Sequence, residues 1–206
     1  HINHDLVILH DPQPLPLIDF YKKRQPWILR GHIDLLNPNP KVWNYLRIFI
    51  KKYDHFVVSN EKYKRKLAVK QSIIYPAIDP LSLKNKPISK KAAGEYLNKF
   101  GISPGKPIIS QISRFDKWKD PIGVLKIFEL VRKKVNCQLV LLGSFAPDDP
   151  EGEKVFKELR GMIKNSEYRK DIKIISVEDS ILVNGLQRAS SVVIQKSLRE
   201  GFGLTV

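Results

Sequence analysis

The sequence has little of the chemistry that staples small secreted domains or anchors a chain in a membrane. Only one cysteine, Cys137, occurs among 206 residues, which excludes a disulfide framework and a cysteine-rich zinc site. No apolar run approaches the roughly 18 residues of a membrane span, and no signal peptide is visible. These absences predict a soluble, cytoplasmic protein with no membrane span.

Acidic residues are scarce relative to basic ones: 21 Asp and Glu stand against 36 Lys and Arg, giving a formal charge of +15. Strong basicity is typical of a nucleic-acid-binding module. The cations are spread along the chain without a clustered pattern of Arg and aromatic residues, which favours lysine-rich solvated faces. We therefore predict no nucleic-acid partner and keep the basic module as the alternative from a different class. Abundant lysine with one Cys and one Met also suits a thermophile.

Glycine-rich phosphate loops and metal motifs are missing as well. The patterns Gly-x-x-x-x-Gly-Lys-Ser/Thr and Gly-x-Gly-x-x-Gly are both absent, which disfavours a P-loop ATPase or kinase and a dinucleotide enzyme. No Asp-x-Asp pattern occurs. The acidic run 148–152 is better explained as a helix start, where carboxylates suit the helix dipole, than as a metal site. We predict no metal site.

What the sequence does contain is an alternation of apolar runs and amphipathic stretches, with 42% hydrophobic residues to form a core. The predicted strands are Leu6–Leu9, Trp27–Arg30, His55–Ser59, Ser72–Tyr75, Pro107–Ser113, Gln138–Leu142, Ile172–Ser176 and Ser191–Gln195. The predicted helices are Pro16–Arg24, Lys41–Lys52, Glu61–Lys70, Ala92–Phe100, Ile122–Lys134, Glu151–Lys164 and Ser180–Ala189. Short β-branched runs with little alternation are typical of strands buried on both faces of a parallel sheet. The pattern predicts a doubly wound α/β architecture.

A proline-containing connector at Tyr75–Pro80 divides the chain. Two prolines in five residues stiffen this segment and cannot continue the centre of a sheet. We place a first α/β unit at 1–76 and a second at 77–206. Both chain ends look cut through structure, so we expect a piece of a longer protein with an incomplete first domain and a nearly complete second domain.

Two cations follow the predicted strand Pro107–Ser113, in the loop before a helix whose start is marked by Asp120 and Pro121. They are Arg114 and Lys119. Ligands of doubly wound sheets bind at the carboxyl ends of the strands, and two cations converging there suit a diphosphate. A solvated loop beside a capped helix is the alternative interpretation.

Two further strand ends in the second unit carry glycines. Gly143 and Ser144 follow Gln138–Leu142, where a glycine permits close approach of a ligand or simply makes a turn. Near the end of the chain, Glu200 precedes a Gly-Phe-Gly loop. Backbone amides before a helix form an anion site, and the carboxylate beside it suits neutral sugar hydroxyls.

The first unit has polar strand ends too. His10 and Asp11 follow the first predicted strand, and Arg30, His32 and Asp34 follow the second. A His beside an Asp binds hydroxyls or shares a proton. Neither cluster has the spacing of a known metal site or triad, and a structural or solvated histidine is the alternative.

Together these motifs resemble the retaining nucleotide-sugar glycosyltransferases of the two-domain GT-B fold, in their fourth sequence family. The residues that carry this resemblance are 113–121, Gly143 and 199–205. Within the family, the chain is similar to the trehalose synthase and trehalose phosphorylase branch through 10–14, 30–34, 113–120, 148–152 and 184–189. The resemblance covers nearly the whole chain and implies two Rossmann-like parallel-sheet domains.

The resemblance also implies roles for the site residues. Arg114 and Lys119 match the diphosphate-binding pair, and Glu200 matches the first acidic residue of a Glu-x7-Glu motif that holds the donor glucose. The implied donor contacts are Gly143, Ser144, Val177, Asn184, Leu186, Gly201, Phe202, Gly203, Leu204 and Thr205. The candidates on the acceptor side are His10, Asp11, Arg30, His32 and Asp34.

The activity implied by the resemblance is transfer of glucose, with retention, from a nucleoside diphosphate glucose to glucose, which forms trehalose. The basic pair stabilises the departing diphosphate, and no enzyme nucleophile is evident. A trehalose phosphorylase of the same fold is the alternative. The implied partners are nucleoside diphosphate glucose, glucose or trehalose, and a second copy in a homodimer of the full-length enzyme. No tightly bound cofactor is implied, and Mg²⁺ would enter with the nucleotide sugar.

Overall fold

The computed structural model describes residues 4–103, 105–144 and 150–204. These residues form two compact units. The first comprises the chain up to Ala77 together with Glu200–Leu204, and the second comprises Ile78–Arg199. The boundary after Ala77 lies one residue beyond the sequence-based division. The segment Glu200–Leu204 differs from that division, because it packs with the first unit.

The first unit is built on a parallel sheet with the strand order β1-β2-β3-β4. Its strands are β1 (Val7–His10), β2 (Trp27–Arg30), β3 (His55–Val58) and β4 (Lys70–Ile73). One α-helix, α1 (Pro40–Ile50), lies between β2 and β3 in the described sequence. In the core, Trp27, Leu29 and Phe56 of the sheet pack with Ile50 of α1. This arrangement aligns the carboxyl ends of the strands at one edge.

Helix α1 begins at a capping residue followed by a proline. The side chain of Asn39 accepts hydrogen bonds from the N–H groups of Lys41 at 3.0 Å and Val42 at 3.3 Å. Pro40 occupies the first helical position, where its missing N–H costs nothing. Trp43 and Leu46, spaced by three residues, then pack against the core. The helix therefore has a fixed start and a fixed buried face.

The second unit is a parallel sheet with the order β7-β6-β5-β8 and helices on both faces. Its strands are β5 (Ile108–Ile112), β6 (Gln138–Gly143), β7 (Ile172–Ser176) and β8 (Val192–Val193). Its helices are α2 (Lys90–Asn98), α3 (Pro121–Arg132), α4 (Pro150–Asn165) and α5 (Ser180–Ala189).

Successive side chains of β6 point to opposite faces of the sheet, and this explains why the unit has two cores. Leu139 and Leu141 pack in one core with residues of α3 and α4, such as Phe128. Val140 and Leu142 point to the other side of the sheet and pack in a second core with residues of α2 and α5. The four apolar residues 139–142 of β6 are thus buried on both faces of the sheet, as the sequence predicts.

Two helices predicted from the sequence are wrong. In place of the predicted helix Pro16–Arg24 the chain forms a short 3₁₀ helix at Leu15–Asp19, which buries Leu15 and Ile18 at the three-residue spacing of that helix type. In place of Glu61–Lys70 the structure has a single 3₁₀ turn at Glu61–Tyr63.

The second of these differences has a tertiary cause. Lys70 already belongs to β4 and pairs with His55 of β3. The loop before it is held by the side chain of Gln71, which accepts from the Arg65 N–H at 3.0 Å and donates to the Arg65 carbonyl at 2.7 Å. Sheet pairing and these two hydrogen bonds of Gln71 outweigh the helical pattern of the local sequence.

In the described ranges, no helix has the length and apolar character needed to cross a membrane.

Candidate functional site

Two histidines meet at the carboxyl edge of the first sheet. His10 ends β1, His32 follows β2, and His10 Nδ1 lies 2.8 Å from His32 Nε2. The two rings are stacked, with centroids 5.1 Å apart and an interplanar angle of 11°. A hydrogen bond between ring nitrogens needs one protonated donor and one bare acceptor. At least one of the two imidazoles is therefore neutral whenever this contact is formed.

Asp11 holds the pair in place through the backbone. It adopts a left-handed conformation with φ of 64°, which is uncommon for a residue other than glycine. Its Oδ1 accepts the backbone N–H of His32 at 2.7 Å, and its own N–H donates to the Arg30 carbonyl at 2.9 Å. Asp11 therefore joins the loops after β1 and β2.

The electrostatics of this edge favour a neutral His32. Desolvation lowers the pKa of His32, Asp11 opposes this effect, and the positive charge of Arg30 and the His10 ring add to the lowering. Arg30 itself is buried, and its Nη1 donates to the Val58 carbonyl at 3.1 Å. Burial lowers the pKa of Arg30, while Asp11 raises it. The guanidinium keeps its charge and so contributes to the lowered pKa of His32.

Asp34, the last of the predicted acceptor-side residues, closes a turn. Its Oδ1 accepts the N–H of Leu36 at 2.8 Å, as in an Asx turn. A cleft of about 30 Å³ lies nearby, lined by residues that include Asp11, Gly31 and Ile33. This volume holds roughly one water molecule and is too small for a sugar. Of the predicted set, His10 and His32 are the exposed side chains at this edge.

The segment Glu200–Leu204 packs with the first unit. The buried hydroxyl of Tyr63 donates to the Glu200 carbonyl at 2.8 Å. Burial raises the pKa of Tyr63; Lys62 opposes this shift, and the carboxylates of Asp34 and Glu200 add to it. The Glu200 carboxylate thus contributes to the raised pKa of Tyr63, and its use on a donor sugar stays a prediction.

Close packing explains the glycines of this segment. A Cβ on Gly201 would lie 2.1 Å from the His32 carbonyl oxygen, so no side chain fits there. Gly203 has a φ of 88°, a conformation that favours glycine. The centroid of the Phe202 ring lies 6.1 Å from the centroid of the Tyr75 ring. Leu204 is exposed. Thr205, also predicted to contact the donor, lies outside the described residues.

In the second unit, the predicted diphosphate pair lies on the loop 113–121, called here the β5 loop. Arg114 is 58% exposed in its side chain, and its Nη2 lies 3.4 Å from Oδ2 of Asp116. Asp116 is only 4% exposed, and its Oδ1 accepts the N–H groups of Trp118 at 2.9 Å and Lys119 at 3.0 Å. The backbone of Lys119 is also held by Gln111, whose Nε2 donates to the Lys119 carbonyl at 2.6 Å. Both cations therefore belong to one ordered loop at the carboxyl end of β5.

The β5 loop is joined to the loop after β8, residues 194–199, called here the β8 loop. Leu198 donates its N–H to the Trp118 carbonyl at 2.7 Å. The Arg199 guanidinium lies 5.3 Å from the centroid of a Trp118 ring, a cation–π distance. Lys196 forms an ion pair with Asp120, which also caps α3 by accepting the Gly123 N–H. Three different interactions thus connect the two neighbouring loops.

Gly143 is required by the close approach of the Ser113 backbone, and its predicted contact with the donor stays a prediction. A Cβ at this position would lie 1.8 Å from the carbonyl oxygen of Ser113, at the start of the β5 loop. The Ser144 carbonyl accepts the Phe115 N–H at 3.2 Å, and the Gly143 carbonyl accepts the Val177 N–H at 3.2 Å. The predicted donor contacts Gly143, Ser144 and Val177 therefore share an edge with the β5 loop.

Two other predicted donor contacts have structural roles. Leu186 is fully buried in a core. The amide of Asn184 donates to the carbonyls of Leu83 at 2.9 Å and Lys86 at 2.8 Å, and its oxygen accepts Arg188 Nε at 2.7 Å. Both amide hydrogens are thus used to hold the segment before α2. The contact of these two residues with the donor, which the resemblance implies, stays a prediction.

Sequence reasoning missed Asp116, the buried centre of the β5 loop. The sequence signal was an Asp in the loop between a predicted strand and a predicted helix, because Asp favours Asx turns; in the structure its carboxylate accepts the N–H groups two and three residues later. Asp179, which caps α5, was also missed. Burial alone would raise the pKa of Asp179, but hydrogen bonds from the N–H of Leu182, the hydroxyl of Tyr96 and the N–H of Ile181 together lower it. Among the described residues, no group of three or more His, Cys, Asp or Glu side chains is placed to hold a metal ion.

Comparison with known proteins identifies relatives of this chain. A family model described as "Trehalose synthase, N-terminal domain" matches residues 1–65. The curated trehalose synthase of Thermococcus litoralis is 44% identical over 208 residues, which covers 98% of this chain and 50% of that relative. The chain therefore spans about half the length of the curated relatives it matches. An archaeal relative also fits the thermophile composition.

Solved structures confirm the predicted α/β fold with parallel sheets of the GT-B type. Sucrose-phosphate synthase from Thermosynechococcus elongatus has a TM-score of 0.76 at 17% identity, covering 98% of this chain and 52% of that one. An alpha,alpha-trehalose-phosphate synthase (UDP-forming) from Burkholderia xenovorans, solved with glucose-6-phosphate, has a TM-score of 0.70 at 13% identity, covering 97% and 54%. A second family model, described as "Glycosyl transferases group 1", matches residues 93–206. That match covers more than half of the sequence, and the chain belongs to this glycosyl transferase family.

Proposed function

We propose that this protein is a retaining hexosyltransferase that moves glucose from a nucleoside diphosphate glucose to glucose and so makes trehalose. One observation carries the proposal: Arg114 and Lys119 stand on a single ordered loop at the carboxyl end of β5. Two cations so placed suit a diphosphate. The 44% identity to a trehalose synthase favours synthesis over phosphorolysis.

The basic pair acts on the leaving group. Negative charge grows on the diphosphate as the bond to the glucose carbon breaks, and fixed cations stabilise that charge without reorganisation. A relative of the same fold is described as UDP-forming, which supports a nucleoside diphosphate as the product here. We propose that Mg²⁺, where present, arrives with the nucleotide sugar and is not held by a protein site.

On the acceptor side, we assign contact with glucose hydroxyls to His10 and His32. These side chains are exposed at the carboxyl edge of the first sheet, whereas Arg30 and Asp34 are bonded to backbone groups. A neutral imidazole both donates and accepts, which suits a hydroxyl. Glu200 remains our candidate for the donor glucose. We place the reaction in the cytoplasm and expect the full-length enzyme to be a homodimer.

Calorimetry with UDP and with ADP tests the donor assignment. We expect Arg114→Ala combined with Lys119→Ala to weaken binding of the preferred nucleotide by about a hundredfold or more, because two charge-assisted contacts are lost. Lys117→Ala is the matched control: it removes an exposed cation of the same loop that pairs with Glu151 at 2.9 Å. We expect this control to change affinity by less than about threefold. Equal affinity in the double variant and the wild type would refute the assignment.

Product analysis tests the reaction in the protein at its full natural length. Formation of trehalose and a nucleoside diphosphate from nucleoside diphosphate glucose and glucose supports the proposal. Release of glucose 1-phosphate from trehalose and inorganic phosphate, without reaction of the nucleotide sugar, would instead identify a phosphorylase.

A further inference from the structure

We propose that Asp116 is a positioning residue for the diphosphate: one buried carboxylate sets the placement of both Arg114 and Lys119. The inference rests on the proposed function, since it concerns the same nucleotide site. It adds a residue that does not itself touch the ligand. Asp116 acts through its two neighbours.

The contacts of Asp116 reach both cations. Its Oδ1 accepts the backbone N–H of Lys119 at 3.0 Å, and its backbone carbonyl lies 3.3 Å from the same nitrogen. Its Oδ2 lies 3.4 Å from the guanidinium of Arg114. The two oxygens of one carboxylate are thus divided between the two members of the pair.

Burial gives these contacts their effect. Only 4% of Asp116 is exposed, and a buried carboxylate is strongly unfavourable unless donors surround it. The N–H groups of Trp118 and Lys119 and the Arg114 guanidinium supply those donors. Moving the Arg114 guanidinium or the Lys119 backbone away would remove one of the few donors of this buried charge, which is unfavourable. The loop conformation that satisfies Asp116 is therefore the one that presents both cations together.

Arg114 remains able to bind a phosphate while it is held. Its side chain is 58% exposed, and one nitrogen faces Asp116. A guanidinium carries five N–H donors, so this contact leaves others for the ligand. The tether restricts the rotamers of the long side chain, which reduces the entropy lost on binding.

The direction in which diphosphate affinity changes when Asp116 is removed distinguishes a positioning role from an effect of its charge. Asp116 is negative and lies beside a site for an anion, so its charge alone weakens diphosphate binding. If charge were its only influence, removing it would strengthen binding. If Asp116 positions the pair, removing it weakens binding despite the gain in net positive charge.

The two substitutions to compare are Asp116→Asn and Asp116→Ala. Asp116→Asn keeps an oxygen that accepts the two backbone N–H groups, so it preserves the loop, but its NH₂ group cannot pair with Arg114. Asp116→Ala removes both functions. We expect the affinity for UDP to fall about threefold to tenfold in Asp116→Asn and more than about tenfold in Asp116→Ala. The affinity for uridine, which lacks phosphate, should not change, and ADP with adenosine gives the same comparison for the other nucleobase.

A double-mutant cycle and a charge control complete the test. In a background that carries Arg114→Ala and Lys119→Ala, neither substitution of Asp116 should weaken UDP binding further, because the groups through which it acts are gone; at most the small gain from removing a negative charge should remain. Glu151→Gln removes a negative charge that pairs with Lys117 of the same loop. This control should leave UDP affinity unchanged or slightly higher. Circular dichroism confirms that each variant is folded, and Asp116→Asn preserves the test if Asp116→Ala does not fold.

The binding measurements have three informative outcomes. UDP and ADP binding that weakens in the Asp116 variants, with nucleoside binding intact, supports positioning. Unchanged or tighter nucleotide binding in Asp116→Asn, with weaker binding in the Arg114 and Lys119 double variant, would overturn positioning while the proposed function stands. Absence of nucleotide binding in the wild-type protein would overturn both.

Discussion

Replacing Gly143 by alanine tests how the β5 loop is held. The added Cβ would lie 1.8 Å from the Ser113 carbonyl oxygen, whereas real Cβ atoms essentially never approach a heavy atom closer than 3.0 Å. The obstacle is backbone, so no side-chain rotation relieves it. Ser113 or Gly143 must move away from the neighbouring strand by more than an ångström.

The cost can be worked out from the bonds that such a shift loosens. The Ser113 N–H donates to the Leu142 carbonyl at 3.0 Å, and the Phe115 N–H donates to the Ser144 carbonyl at 3.2 Å. Losing both costs about 2 kcal/mol, and the backbone strain of overpacking adds about 1–3 kcal/mol. We expect Gly143→Ala to lower the free energy of unfolding by about 3–5 kcal/mol.

Urea unfolding followed by circular dichroism measures this loss, and UDP calorimetry measures its effect on the site. Gly161→Ala is the matched control, because Gly161 lies in α4 of the same unit with nothing within 4 Å of the added Cβ. That control should raise stability by about 1 kcal/mol through helix propensity. In Gly143→Ala, displacement of the β5 loop should also weaken UDP binding about tenfold or more. A Gly143→Ala protein within about 0.5 kcal/mol of the wild type would show that the close approach of Ser113 is wrong.

Other expectations concern single contacts. Asn184→Ala should lower the free energy of unfolding by about 2–3 kcal/mol and leave UDP affinity unchanged, because its amide holds two backbone carbonyls. Weaker UDP binding at unaltered stability would instead favour the donor contact that the resemblance implies. Because the hydrogen bond from Lys106 lowers the pKa of Asp171, that carboxylate stabilises the fold above about pH 4 and the benefit is lost as the pH falls further. Unfolding measured between about pH 2 and 6 should therefore show a steeper acid loss in the wild type than in Asp171→Asn. Tyr63→Phe removes the donor to the Glu200 carbonyl, so amide exchange in residues 200–204 should quicken about fivefold; unaltered exchange would contradict this.

The sequence pattern was sufficient to predict a strand or helix whose bounds are set by its own residues. The predicted strand Ile172–Ser176 and helix Ser180–Ala189 coincide with β7 and α5. The helix has a capping Asp179, and the strand is an isolated β-branched run. The prediction of β8 was less accurate: Ser191–Gln195 was expected, but the paired residues are Val192–Val193. Strand length at the sheet edge depends on the neighbouring strand β5 and cannot be predicted from the run itself.

The candidate site shows the same division. The position of Arg114 and Lys119 after a strand follows from chain order, because every parallel strand ends at one edge of the sheet. The need for a glycine at 143 does not follow from chain order, because it arises from the close approach of Ser113, which lies thirty positions earlier in the chain. Likewise, the bonds of Asn184 to the backbone around residues 83–86 exist only in the folded unit. Contacts between distant segments decide whether a polar residue binds a ligand or supports the scaffold.

The hydrogen bond between Trp118 and Leu198 has a consequence for recombining this chain with its relatives. Loops at strand ends are usually treated as parts that can be grafted one at a time. Here the Trp118 carbonyl, its ring and the neighbouring Asp120 each have a partner in the β8 loop. A chimera that takes residues 113–121 from one parent and 194–199 from another must re-create these matches by chance. Functional chimeras should therefore inherit the two loops from the same parent.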